Sequence, residues 1–154
     1  MRGGFLGTAA PFYVDLVLVL EFAIGLALLA GAILARLGRF QAHARCQSIV
    51  VLLNAAVIGL VMLPSFGRQV WPRIPLRLGK SFYVMATAHA ALGATVECAA
   101  LYILLAAGTT LMPEKLRLTR YKFWMRRVLL GWWAVLFLGL ATYARWYIPN
   151  LFPR

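Results

Sequence analysis

Negative charge is what this chain has least of. Four acids, Asp15, Glu21, Glu97 and Glu114, stand among 154 residues, beside two histidines and two cysteines. Cys46 and Cys98 both sit in apolar surroundings and form neither C-x-x-C nor C-x-x-C-H. That excludes c-type haem attachment, cysteine-based zinc sites and a disulfide framework, and leaves both as packing residues. The sequence holds no H-E-x-x-H, no Ser-His-Asp order in a suitable context, no glycine-rich phosphate loop and no carboxylate pair in a polar cleft. A hydrolase or kinase would need one of these, so the chain is expected not to be an enzyme. Internal repeats and low-complexity tracts are also missing.

What the chain does have is apolar surface and positive charge. Hydrophobic residues make up 63% of it, charged residues 13%, and the mean hydropathy is +0.81. A soluble domain carries roughly 25% charged and about 45–50% apolar residues. The chain is therefore expected to lie in a membrane. Sixteen Lys and Arg give a net charge of +12. They fall between long apolar runs, where cations meet lipid phosphates, so lipid and not nucleic acid is the expected partner.

Crossing the hydrocarbon takes roughly 20 apolar residues. Four stretches qualify, at 12–35, 46–63, 82–107 and 128–148. The first carries Asp15 and Glu21 and reads as a retained span, not a cleaved signal peptide. Residues 36–45 (RLGRFQAHAR) form a short basic turn. In segment 64–80, Pro64, Pro72 and Pro75 argue against a continuous helix, and alternating apolar and basic residues predict that it lies along the interface. The third connection, 108–127, is the most basic, with Tyr121, Phe123 and Trp124 as a candidate aromatic belt.

These connections predict an all-α fold: an integral membrane four-helix bundle, up-down-up-down, in one domain with both termini on one side. Loops one and three carry nine cations: Arg36, Arg39, Arg45, Lys115, Arg117, Arg120, Lys122, Arg126 and Arg127. The other side carries seven: Arg2, Arg68, Arg73, Arg77, Lys80, Arg145 and Arg154. That asymmetry puts both termini outside the cell (inner) membrane. Small residues recur every fourth position at Ala23, Ala27, Gly31 and Ala35, and at Ala86, Ala90, Ala94 and Cys98, a spacing that lets helices approach closely.

Ionisable groups inside hydrocarbon cost a few kcal/mol each and usually face the bundle interior. Depth counting at about 1.5 Å per residue puts Glu21 and His89 level, so that they could pair. Asn54 and Glu97 form a second layer nearer the other face, and Asp15 and Arg145 share the terminal boundary. His43, Gln47 and Asn54 form a polar stripe on the second span, with Gln47 and Asn54 as interhelical hydrogen-bonding residues. His43 and His89 differ in depth by roughly 15–20 Å, so they do not share one haem and a small b-type cytochrome is the weakest reading. His89 alone could still be a single axial ligand.

The last span brings a resemblance. In YKFWMRRVLLGWWAVLFLGLATY, Arg126, Trp132, Gly139 and Tyr143 stand at the spacing H-x4-R-x3-P-x-W-x6-G-x3-Y. This resembles a small family of four-helix membrane proteins, mostly of unknown function, that includes an assembly factor for haem-A-type cytochrome c oxidase. His43 and His89 fall where that family places its other histidines. Its remaining histidine is Tyr121 here and its proline is Leu130, so a three-histidine site would lack a ligand. The resemblance covers roughly residues 40–147. It implies a place in cytochrome oxidase assembly or cofactor handling for a respiratory complex, with His89, His43 and Glu21 as the cofactor-binding residues and haem or copper as the cofactor. The alternative is a non-catalytic accessory subunit of a larger respiratory or photosynthetic membrane complex, with other membrane subunits as partners.

Overall fold

The computed structural model describes residues 4–77, 79–109, 113, 115 and 119–148. Arg2, Arg117 and Arg154 of the charge count lie outside the described residues. Every regular element among those described is a helix. Four are long and apolar enough to cross a membrane: Phe12–Arg36, Phe40–Arg77, Tyr83–Gly108 and Tyr121–Tyr147.

The first helix, α1 (Phe12–Arg36), follows Pro11 and ends at Gly38, whose φ of +74° is the left-handed conformation glycine adopts without strain. From there the Gly38 N–H donates to Ala35 O at 3.2 Å and the Arg39 N–H reaches back to Leu34 O at 2.9 Å, satisfying carbonyls the helix end would leave open. Only residues 37–39 then separate α1 from α2 (Phe40–Val57). The second span thus starts at 40 and not 46, and His43 lies in a helix. The last span, α6 (Tyr121–Tyr147), likewise starts seven residues before the expected 128. In both cases basic residues predicted as loop are helical. Long cationic side chains carry their charge to the headgroups while the backbone keeps its internal hydrogen bonds.

The segment expected to break at its prolines stays helical as far as Arg77. A π turn (Ile58–Met62) leads into α3 (Leu63–Gln69), then a 3-10 turn (Trp71–Arg73) and α4 (Ile74–Arg77). Within the π turn the Leu63 N–H donates to the carbonyl of Ile58, five residues back. A proline ring normally strikes the carbonyl four residues before it. The wider turn just ahead of Pro64 relieves that clash. Pro72 and Pro75 occupy early positions of their short helices, where a missing N–H leaves no bond unmade.

The long helix α5 (Ser81–Gly108) completes a ring in which α1 packs on α2 and α6, and α5 on α2 and α6. Neighbours are antiparallel. Ala27 and Gly31 of α1 meet Cys46 and His43 of α2, and His89 and Val96 of α5 meet Val135 and Gly131 of α6. The core joins Ile24, Leu28, Val50, Val51, Val96, Ala100 and Trp132. A smaller cluster of Val70, Tyr83 and Ala86 ties α3 to α5. Between 17% and 28% of each span is buried inside the bundle, so most apolar side chains face outward. Hydrocarbon, not water, suits such a surface.

Of the small-residue faces, Ala27 and Gly31 do lie against α2. Ala94 and Cys98 are exposed, and the α5 contacts run through Ala86, His89, Gly93 and Val96. Cys46 donates to Ala27 O at 3.4 Å.

Candidate functional site

Among the described residues all four spans border a cavity of about 570 Å³ in the half of the bundle that holds the start of α1 and the end of α6. Ligand cavities of small molecules run from about 300 to 1,000 Å³. The walls are mainly apolar, and the chemistry is concentrated in Glu21, Asn54, Thr87, His89 and Glu97. No described Lys or Arg lines it, although the chain has four times as many cations as acids. Tyr13, Leu63 and Trp71 line the cavity and are also 44%, 64% and 67% exposed, which marks its opening between the start of α1 and α3. The π turn shapes this wall through Ile58, Val61 and Met62.

His89 is held by α6. Its Nδ1 lies 3.1 Å from the carbonyl oxygen of Val135, which can only accept, so Nδ1 carries a proton. In the neutral imidazole Nε2 then keeps its lone pair, and the His89 side chain borders the cavity. A Cβ at position 139 would come within 2.8 Å of the His89 ring, so the glycine makes room for it. A backbone carbonyl on Nδ1 leaves Nε2 as the free nitrogen, an arrangement that metal-ligating histidines commonly use.

Asn54 and Glu97 face one another across the α2–α5 contact, where Asn54 Nδ2 donates to Glu97 Oε2 at 2.8 Å. Each is 6% exposed. Asn54 Oδ1 and Glu97 Oε1 are buried without a hydrogen-bond partner, and so is Glu21 Oε1. Glu21 does not bond His89 as expected. Matching depth was not enough, because α1 and α5 stand diagonally in the ring with the cavity between them. Glu21 instead lines the cavity from α1. The structure therefore gathers Glu21, Asn54, His89 and Glu97 about one space.

His43 is not part of it. Its Nδ1 lies 2.8 Å from the carbonyl of Gly31, and one turn on Gln47 Nε2 donates to Leu28 O at 3.3 Å, both at the end with the α1–α2 turn. Of the three expected cofactor-binding residues, the cavity brings together Glu21 and His89 and leaves out His43. Tyr121, which stands where the resemblance places a histidine, donates its hydroxyl to Ala106 O at 3.1 Å and fastens the α5–α6 junction.

A strap of residues 4–10 closes the terminal end. Asp15, 0% exposed, accepts from the Tyr143 hydroxyl at 2.6 Å on Oδ1 and from the Leu6 N–H at 2.9 Å on Oδ2. With the Tyr143 proton committed to Asp15, the Thr8 hydroxyl, 2.6 Å away, donates to Tyr143 and accepts from the Ala10 N–H. The Ala9 N–H donates to Tyr147 O at 3.2 Å. The carboxylate expected to meet Arg145 thus takes its hydrogen bonds from Tyr143, two residues earlier on α6, and from the strap. Nothing in the spacing of residues 4–10 announced this, and Tyr143 in the fourth-span pattern was the one available signal. Trp132 and Gly139 of that pattern also line the cavity.

Among the described residues no three of His, Cys, Asp and Glu gather as a metal site. No family model, no curated protein and no solved structure matches this chain.

Proposed function

We propose that this protein holds a membrane-soluble cofactor in the central cavity on behalf of a respiratory electron-transport complex, in cytochrome c oxidase assembly or cofactor handling. The observation that carries this reading is His89, fixed by Val135 and bordering an apolar, open-sided cavity. The fourth-span pattern supports it, since Trp132, Gly139 and Tyr143 border the same space. Of the two cofactors suggested by the sequence, copper fits poorly, because the further ligands it needs do not gather among the described residues. Haem asks less of the protein, one imidazole sufficing as axial ligand in some haem proteins. Glu21 then lines the cavity without ligating, and His43 acts in helix packing. The orientation with both termini outside belongs to the same proposal.

The test is purification from native membranes in mild detergent, with an absorption spectrum and partner identification on the same sample. Bound cofactor, or an oxidase with less haem in a His89→Ala strain, supports the reading. Normal oxidase in that strain, with cofactor-free protein that joins no complex, overturns it. Stoichiometric co-purification with a complex and no cofactor would favour the accessory-subunit alternative.

A further inference from the structure

Glu97 stands near the middle of its span, about 21 Å along the axis from Tyr83 and about 17 Å from Gly108. Asn54 Nδ2 donates to its Oε2 at 2.8 Å, and both residues are 6% exposed. The second oxygen of each group, Asn54 Oδ1 and Glu97 Oε1, has no hydrogen-bond partner. Less than 1 Å² of either atom is accessible, so water cannot satisfy them. Apolar packing holds the two groups face to face. Val50 and Val51, one turn before Asn54, share a core cluster with Ala100, one turn after Glu97.

As a carboxylate, Glu97 accepts hydrogen bonds and donates none. It would then fail twice. Its own Oε1 would hold part of a buried charge with no cation beside it, since no described Lys or Arg lines the cavity that Glu97 borders. Buried charges are ordinarily paired, and one alone at membrane depth is costly. The oxygen of Asn54 would also stay unmet, because the group bonded to its amide has no hydrogen to return. One proton on Oε1 removes both faults. The carboxyl becomes neutral and gains an O–H donor, and the amide oxygen of its existing partner is the acceptor at hand.

We infer that Glu97 is a proton site: at neutral pH its carboxyl carries a proton on Oε1 and donates it to Asn54 Oδ1. The α2–α5 contact is then an uncharged acid–amide pair joined by two hydrogen bonds. The protein fixes this proton, whatever the cavity holds, so the inference goes beyond the proposed function and does not rest on it. Where Glu97 borders the cavity, the wall carries no charge.

The experiment is infrared spectroscopy of the purified full chain in lipid nanodiscs at neutral pH, where a glutamate in water is a carboxylate. The wild-type spectrum minus that of Glu97→Gln is expected to show the carbonyl stretch of one protonated carboxyl per chain. Asn54→Leu is expected to shift that band to higher frequency, because the hydrogen bonds of the pair are gone. Far-UV circular dichroism checks that the variants fold. Should Glu97→Gln fail to fold, the band is sought in a Glu21→Gln, Glu114→Gln chain grown with isotope-labelled glutamate, in which Glu97 is the one glutamate left. A carboxylate stretch in place of the carbonyl band overturns the inference, and so does a carbonyl band that Asn54→Leu leaves unmoved. Neither result bears on whether the cavity holds a cofactor, which the spectrum of the native-membrane preparation reads separately.

Discussion

The two ends of the bundle are made of the same kinds of residue and built to opposite plans. Where α1 turns into α2, the helices close on one another and the polar side chains of α2 are paired with backbone. His43 meets Gly31 O, Cys46 meets Ala27 O and Gln47 meets Leu28 O. At the other end the spans part around the cavity, and acceptor oxygens of Glu21, Asn54 and Glu97 are left over. Hydrocarbon offers no partner to a polar atom, so pairing is expected everywhere in a purely structural bundle. The contrast is between a closed end whose α2 side chains are paired with backbone and an open end that keeps unmet oxygens.

The largest expected effect tests the closure of the strap over the open end. Asp15→Ala strands the Leu6 N–H and leaves the Tyr143 hydroxyl with Thr8 alone, removing two hydrogen bonds to a carboxylate at about 1.5–3 kcal/mol each. A loss of about 3 kcal/mol should appear in denaturant unfolding followed by circular dichroism. Next comes Gly31→Leu at the closed end, where a side chain would run into Gln47. Overpacking there should lower stability by about 2 kcal/mol in the same assay. The matching change at the open end, Ala90→Leu, should instead raise it by about 1 kcal/mol, because the new atoms enter cavity space. Equal signs for these two variants would erase the distinction between the ends. The smallest effect concerns the loop-side surface, where the Arg127 guanidinium lies 4.7 Å from the centroid of the Phe123 ring. Phe123→Leu should cost about 0.5 kcal/mol and leave the cavity untouched.

The number and character of the spans were legible because hydrocarbon thickness fixes a length and apolar composition fills it. The starts of the second and last were not, because Arg45, Lys122, Arg126 and Arg127 look like loop in a charge count and are helical in the structure. Depth counting placed Asn54 and Glu97 in one layer, and they do bond. The same counting suggested Glu21 with His89, and there it failed, since depth carries no information about which corner of the ring a helix occupies. The expected interhelical bond of Gln47 formed to backbone, while the partners of Asp15 in the strap left no periodic trace. The cavity itself had no signature in the sequence. Part of its wall comes from the π turn, and a π turn does not disturb an apolar run.

That turn has a consequence for how the chain tolerates change in length. A π turn holds one residue more than an α-helical turn over the same rise. Removing Gly59, where an added Cβ would meet nothing within 4 Å, would let the segment rewind as plain α-helix. Because the two turns cover the same rise, the residues from Leu63 onward would keep nearly the same facing. Pro64, however, would meet the carbonyl it now avoids. A single deletion at an exposed, uncrowded glycine is thus expected to be far more disruptive than any substitution at the same position.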